Sequence, residues 1–333
     1  MKKLVLFIMG ILLVLVILWR ADFSEVFQSL KTFDFKLLLT VCLLQLLTIL
    51  LINLQWHKIA LHMGEKLALR DLFYMNMMGT FVESITPSAK TGGEAAKVYL
   101  LKARMGLSTG KAAALVGIQK VISLIAFLFL NVVAMTWFFT TVTWEGGQIP
   151  AVFISFLFLA GFVVLLMVLM AYPSKLNTLI KKLPLLKRES KDKIMKVMVD
   201  LQENVKEALQ QKKPFLYQIV LAFTIWLLFA YKAYLIASGL QIQLPFMGIA
   251  VVTYLTYMIG MLPLLPGGVG TFEGSMVFFL LPMGIPSHEG VALALILRFV
   301  TFWLAFFISA GYLGYQQLTK EQNTIEMASR KPV

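Results

Sequence analysis

A single cysteine, Cys42, excludes an internal disulfide and any thiolate metal site. The three histidines, His57, His62 and His288, lack ligand spacing with one another. No metal centre and no cofactor is expected, and the histidines belong at the membrane interface. Charge is scarce as well, at 14% of residues. The longest polar stretch, from Pro173 to Pro214, is roughly 40 residues, short of the roughly 50 that a domain needs. No soluble domain of ordinary size fits, and nucleic acid is not an expected partner.

What fills the chain is apolar sequence. Hydrophobic residues make up 59% of it, mean hydropathy is +0.82, and several runs exceed the roughly 18 apolar residues that suggest a membrane-spanning helix. This is the composition of a polytopic membrane protein. The net charge of +13 then points to the anionic inner leaflet under the positive-inside rule.

Met1-Lys2-Lys3 followed by Leu4 to Trp19 resembles a signal peptide, but Arg20-Ala21-Asp22-Phe23 lacks a small-residue cleavage pattern. A retained first span starting in the cytoplasm is expected. Residues 22–35 place Phe23, Val26, Phe27, Leu30 and Phe33 at helical spacing, the pattern of an interfacial helix. Leu37 to Gln55 returns inward. Asp71 to Ile85 and Gly92 to Arg104, separated by a break at Pro87, are each too short for a hydrocarbon core of about 30 Å. They form a hairpin dipping in from the cytoplasm. Ala112 to Phe139 crosses outward, the loop Thr140 to Ile149 lies outside, and Pro150 to Tyr172 returns.

The segment 174–213 has eleven Lys/Arg against five acids and is assigned to the cytoplasm. Its Ile194, Val197, Met198, Leu201, Val205 and Leu209 draw one apolar face, so a basic amphipathic helix on the anionic lipids of the inner leaflet is expected. Phe215 to Ala237 crosses outward to the loop Ser238 to Leu244. A second broken pair, Pro245 to Leu262 and Gly270 to Leu281, dips in from outside, and His288 to Tyr315 crosses inward to a cytoplasmic tail, 319–333.

The two hairpins are related in sequence. Pro87-Ser-Ala-Lys-Thr-Gly92-Gly93-Glu94 and Pro266-Gly267-Gly268-Val-Gly270-Thr-Phe-Glu273 share their Pro-to-Glu spacing at an offset of 179 residues, since 266−87 and 273−94 are equal. Downstream, Met105-Gly106 matches Met283-Gly284 and Lys120 matches Arg298, both at 178. The predicted fold is therefore an all-α polytopic membrane protein built as an inverted-topology repeat, with six full spans and two re-entrant helical hairpins. Repeat 1 covers residues 1–140 (hairpin 71–104) and repeat 2 covers 149–318 (hairpin 245–282). Short segments broken by Gly and Pro at corresponding positions of two halves point to a transporter-type binding site near the midplane.

Lys120 and Arg298 then fall roughly 12–15 Å from opposite faces, where a charge is costly and faces a partner or a cavity. Two roles are open to these cations. They pair with Glu94 and Glu273 and lock the hairpins, or they join the half-helix N-termini in an anion site for a lipid phosphate. In the second role Gly92, Gly93, Gly267, Gly268 and Gly270 admit the headgroup, and Glu94 and Glu273 receive its amine or a proton. The acids have a capping role open to them as well, three residues after Thr91 and Gly270. Asn131 and Ser309, each eleven residues beyond its cation, extend a polar lining, with Lys97 beside them.

Ser84-Ile-Thr-Pro87 with Gly92-Gly93-Glu94 and Leu100, Leu265-Pro266-Gly-Gly-Val-Gly270-Thr-Phe-Glu273, and Arg298 in the last span resemble the transmembrane region of lysylphosphatidylglycerol synthases, the flippase-like family around the multiple peptide resistance factor. The resemblance covers nearly the whole chain. It implies translocation of lysylphosphatidylglycerol between leaflets by the membrane part, with a separate cytosolic domain transferring lysine to phosphatidylglycerol, a domain not expected in this chain. Family members commonly carry Arg shortly after the Gly-Gly pair, where this chain has Glu94 and then Lys97. A phospholipid substrate is expected, with a homo-oligomer or a lipid-modifying enzyme as further partners. The alternatives are the membrane part of a phosphatidylglycerol lysyltransferase system acting with a catalytic partner in trans, a polyprenyl-phosphate substrate, and a scaffold role through 174–213.

Overall fold

The computed structural model describes residues 12, 14–86, 91–142, 148–171, 197–207, 212–262 and 265–329. Among them every regular element is a helix. Most of the expected first span, the break at Pro87 and most of the basic segment 174–213 lie outside the described residues.

Short polar residues start the helices where the sequence breaks. Asp22 accepts a hydrogen bond from the Ser24 amide and opens α1, Phe23–Thr32. Asp34 does the same for Lys36 and opens α2, Phe35–His62. α1 buries Val26 and leaves Phe23 and Phe27 exposed. Leu69–Ile85 forms α3 and Thr91–Ala103 forms α4. At 17 and 13 residues they reach about 26 and 20 Å, and they pack on each other.

Ser108 caps α5, Thr109–Thr141, through the Lys111 amide. α6 is Gln148–Ala171 and α7 is Lys212–Gly239. The second pair is α8, Phe246–Gly260, and α9, Thr271–Leu280. The chain closes with α10, Ser287–Arg298, a π-helical turn over Phe299–Trp303, and α11, Leu304–Ser329.

Four helices are long and apolar enough to cross a membrane: Phe35–His62, Thr109–Thr141, Pro214–Gly239 and Ser287–Thr319. Each extends beyond the range drawn from its apolar run. The last is not the continuous α-helix expected over His288 to Tyr315, because the π turn begins directly after Arg298. Of the expected amphipathic segment, residues 197–207 are helical. Val205 is buried in the main core, and the Asp200 carboxylate accepts a hydrogen bond of 2.5 Å from the Ser108 hydroxyl. This part is seated on the start of α5, where its carboxylate meets the positive end of the helix dipole.

Contacts alternate between the halves. α3 packs on α11 while α8 packs on α5, and α4 packs on α5 while α9 packs on α10. Between apolar helices in lipid, close packing and interhelical hydrogen bonds hold the bundle. Trp226 on α7 donates to the Ser123 carbonyl on α5 at 3.1 Å, and Gln119 on α5 donates to Gln55 on α2 at 3.1 Å. Asn76 on α3 donates to Asn53 on α2 at 2.9 Å. The fully buried Lys232 on α7 donates to the side chains of Gln45 and Thr48 on α2.

The α3–α4 hairpin closes over Gly93, where a Cβ would lie 2.6 Å from the Gly79 carbonyl oxygen. Gly93→Ala is therefore expected to push the two helices apart at a cost of about 1–3 kcal/mol and lower the melting temperature in detergent. Gly161→Ala, with nothing within 4 Å, is the control, and an equal response of the two would remove Gly93 as the closing contact.

Candidate functional site: a charged cavity between two broken helix pairs

The second break is folded by its glycines. Gly267, Gly268 and Gly270 have φ of 61°, 69° and 82°, the left-handed region that a side chain makes costly. The chain turns there through a short 3-10 segment, Pro266–Gly268, and re-enters as α9. Glu273 closes the start of that helix. Its Oε2 accepts from the Gly270 amide at 2.7 Å, while Oε1 lies 3.3 Å from Arg298 Nε. Arg298 in turn donates to the Gly267 carbonyl. Its guanidinium carbon sits 5.1 Å from the Phe272 ring centroid and 4.7 Å from that of Phe302. Both roles considered for Glu273, capping and pairing, are filled by one side chain.

The first pair places its ions differently. Glu94 stands 3.2 Å from the Lys120 ammonium and 3.4 Å from that of Lys97. Lys97 lies 5.0 Å above the Trp56 ring centroid, and its stem fills the space over Gly79. The two sequence-matched pairs, Glu94–Lys120 and Glu273–Arg298, are thus both ion pairs, at nearly equal distances.

Glu94, Lys120 and Arg298 line one cavity of about 300 Å³, while the buried Glu273 is not in its wall; that volume is at the low end of the size range of small-molecule sites. Residues flanking both breaks reach it, among them Thr86, Glu94 and Lys97 from the first and Leu265, Gly267 and Gly268 from the second. Lys120 and Arg298 face it from α5 and α10.

Other expected members lie elsewhere. Gly92, Gly93 and Gly270 are not in the wall, Gly93 being occupied by the Gly79 carbonyl. Asn131 and Ser309 are fully buried away from the cavity, each donating to a carbonyl of its own helix, Phe127 and Phe306. Eleven residues put Asn131 on the same helix face as Lys120 but three turns farther along, beyond the reach of the cavity, and the π turn after Arg298 rotates Ser309 off the face expected for it.

Sequence reasoning passed over Glu83, which lines the cavity from α3, and Gln55 and Gln119, whose amides form part of its wall. It also passed over Lys232, a lone cation inside an apolar run, which the rarity of charge in membrane spans could have flagged. Among the described residues no group of three or more His, Cys, Asp or Glu side chains is placed to hold a metal ion.

The sequence matches the family described as lysylphosphatidylglycerol synthase TM region over residues 4–309. It is also similar to three archaeal relatives named UPF0104 membrane protein. One from Methanothermobacter thermautotrophicus is 24% identical over 323 residues, covering 94% of this chain and 95% of the relative. One from Pyrococcus horikoshii is 21% identical, covering 91% and 94%, and one from Methanocaldococcus jannaschii is 22% identical, covering 96% of each. A polytopic helical chain with a charged cavity, matched over nearly its whole length, belongs to the lysylphosphatidylglycerol synthase TM region family.

Proposed function

We propose that this chain is a flippase-like lipid transporter of the cytoplasmic membrane, moving an anionic or aminoacylated phospholipid of the lysylphosphatidylglycerol type between leaflets. The observation that carries this reading is the convergence of two broken helix pairs and two midmembrane cations on one cavity. Irregular backbone at membrane depth is tolerated where it is buried or lines such a cavity, and ion pairs there serve a pathway more often than a scaffold. A headgroup crossing hydrocarbon needs what this cavity offers: cationic donors for its phosphate and carboxylates, Glu94 with Glu83 beside it, for an amine.

In the same reading the fold has six full spans and two re-entrant hairpins, with residues 1–140 and 149–318 forming an inverted repeat and both termini in the cytoplasm. The exchanged contacts support it, α3 on α11 against α8 on α5. So do the matched ion pairs. Alternating access would then rock one hairpin against the other around a fixed site.

The family's description favours a second reading, in which the chain is the membrane part of a phosphatidylglycerol lysyltransferase system and a partner supplies the chemistry. In that case purified chain with lysyl-tRNA and phosphatidylglycerol makes no lysylphosphatidylglycerol until the partner is added. Product formed by the chain alone would overturn both assignments of the chemistry.

Transport itself is tested in proteoliposomes carrying headgroup-labelled phosphatidylglycerol, lysylphosphatidylglycerol or phosphatidylcholine, with outer-leaflet label quenched. Wild-type protein should exchange the charged lipids faster than phosphatidylcholine. Lys120→Ala and Arg298→Ala should each slow that exchange at least tenfold, the effect of losing about 1.4 kcal/mol. Folded wild-type protein that exchanges none of the three lipids would defeat the transport reading.

A further inference from the structure

The cavity is two-faced. Its wall along α2, α3 and α5 is mostly polar, with Gln55, Asn76, Thr80, Gln119 and Lys120 among a few apolar residues such as Ile49 and Ile52. Its wall along the second break and the last helices is mostly apolar, made by Leu262, Leu265, Phe272, Phe302 and Ala305, with Arg298 and Thr301 the polar members there. A site for a free hydrophilic solute has no use for half a wall of aliphatic and aromatic carbon, whereas a molecule with a polar head and an apolar body matches both halves.

The two ion clusters differ in what they leave unspent. Arg298 is enclosed: a carboxylate at Nε, the Gly267 carbonyl at one terminal nitrogen, and an aromatic ring on two sides. Its side chain is 9% exposed and that of Glu273 5%. Lys120, at 21%, meets Glu94 through one contact of 3.2 Å, so two of its three N–H groups have no protein acceptor among the described residues. Among the described residues the hydrogen bonds of Lys97 are long, at 3.4 Å, and both go to that same carboxylate. Two more polar atoms in the same wall, Trp56 Nε1 and Asn76 Oδ1, are buried with no hydrogen-bond partner among the described residues.

Resting on the transport reading above, in which the ligand carries a phosphate and an apolar body, we infer that the phosphate is held by Lys97 and Lys120 of the first hairpin's surroundings and the apolar body is laid against Phe272 and Phe302. Arg298 is a positioning residue. It ties the two ends of the second break together and orients the rings of the apolar wall, and the phosphate does not sit on it. The two hairpins thus divide the work: the first reads the head, and the second supplies the surface for the glycerol and upper chains.

The test is equilibrium binding to the full chain in detergent, which does not depend on leaflet exchange. The probes are dihexanoyl phosphatidylglycerol, dihexanoylglycerol without the phosphate, and inorganic phosphate without the chains. Lys97→Met and Lys120→Met keep the apolar stem, including the packing of Lys97 over Gly79, and each leaves Glu94 one remaining lysine. Each should weaken the phosphatidylglycerol probe by about tenfold or more, as loss of a charge-assisted hydrogen bond does, and leave dihexanoylglycerol unchanged. Lys120→Arg should restore most of the affinity. Phe302→Ala should weaken both lipid probes alike.

The assignment falls if both Lys→Met proteins, with wild-type melting temperatures, bind phosphatidylglycerol as the wild type does, or if they lose dihexanoylglycerol equally. It falls too if inorganic phosphate binds as tightly as the lipid, since the lysines would then serve a free anion. Normal lysine-dependent binding without any leaflet exchange would uphold the two-faced site and defeat the transport reading alone.

Discussion

The structure depends on how a broken helix is made tolerable in the interior of an apolar bundle. Ending one helix and starting another there frees amides and carbonyls, each costing several kcal/mol if left unmet. At the second break this demand is met by two side chains. Arg298 takes the Gly267 carbonyl, Glu273 takes the Gly270 amide, and the two ions take each other. Neither could be there alone, since a buried charge without its partner costs more than the pair returns. The ion pair and the backbone turn are thus one device, and the glycines with φ of 61°, 69° and 82° are its geometric condition.

Around that device the bundle is held by a sparse set of polar cross-links. Lys232 joins α7 to α2, Gln119 joins α5 to α2, Asn76 joins α3 to α2, and Tyr257 joins α8 to the π turn through Thr301 at 2.9 Å. α2 takes part in three of them, which explains its buried Gln45, Thr48, Asn53 and Gln55 despite a strongly apolar sequence. The π turn belongs to the same set. One extra residue per turn after Arg298 shifts Thr301 and Phe302 so that one reaches Tyr257 and the other the guanidinium, and such insertions in helices gather at functional sites.

Much of this was legible in the sequence, for identifiable reasons. Long apolar runs announce spans because nothing else can use them, and the equal spacing from proline to glutamate in both hairpins marks the two breaks. Charge inside apolar runs left two roles open for Lys120 and Arg298, and the contacts present are those of the first, Glu94 with Lys120 and Glu273 with Arg298. The placement of Asn131 and Ser309 was not legible, because periodicity does not fix the height at which a cavity ends. Gly93 misled for a related reason. A glycine admits close approach, but the sequence does not say whether a ligand or a neighbouring carbonyl, here that of Gly79, makes it. The π turn left no sequence signal at all, since Phe299 to Trp303 satisfies an α-helical pattern equally well.

Sequence likeness between the hairpins also hides how far their surroundings have diverged. Each half keeps a glutamate and a cation at nearly the same separation, 3.2 and 3.3 Å. Beside the second pair stand two phenylalanines that exclude other polar partners. Beside the first stand a second lysine, a tryptophan and a glutamine-rich wall that leave room for one. An ion pair flanked by aromatic carbon has strong electrostatics but little access, and is suited to holding a shape. An ion pair beside a second lysine in a cavity wall has both, and can trade a weak contact at 3.4 Å for a stronger one to an arriving anion. Division of labour therefore rests on the neighbours rather than on the charges, and it needs both halves: one rigid enough to keep the break closed, the other open enough to bind.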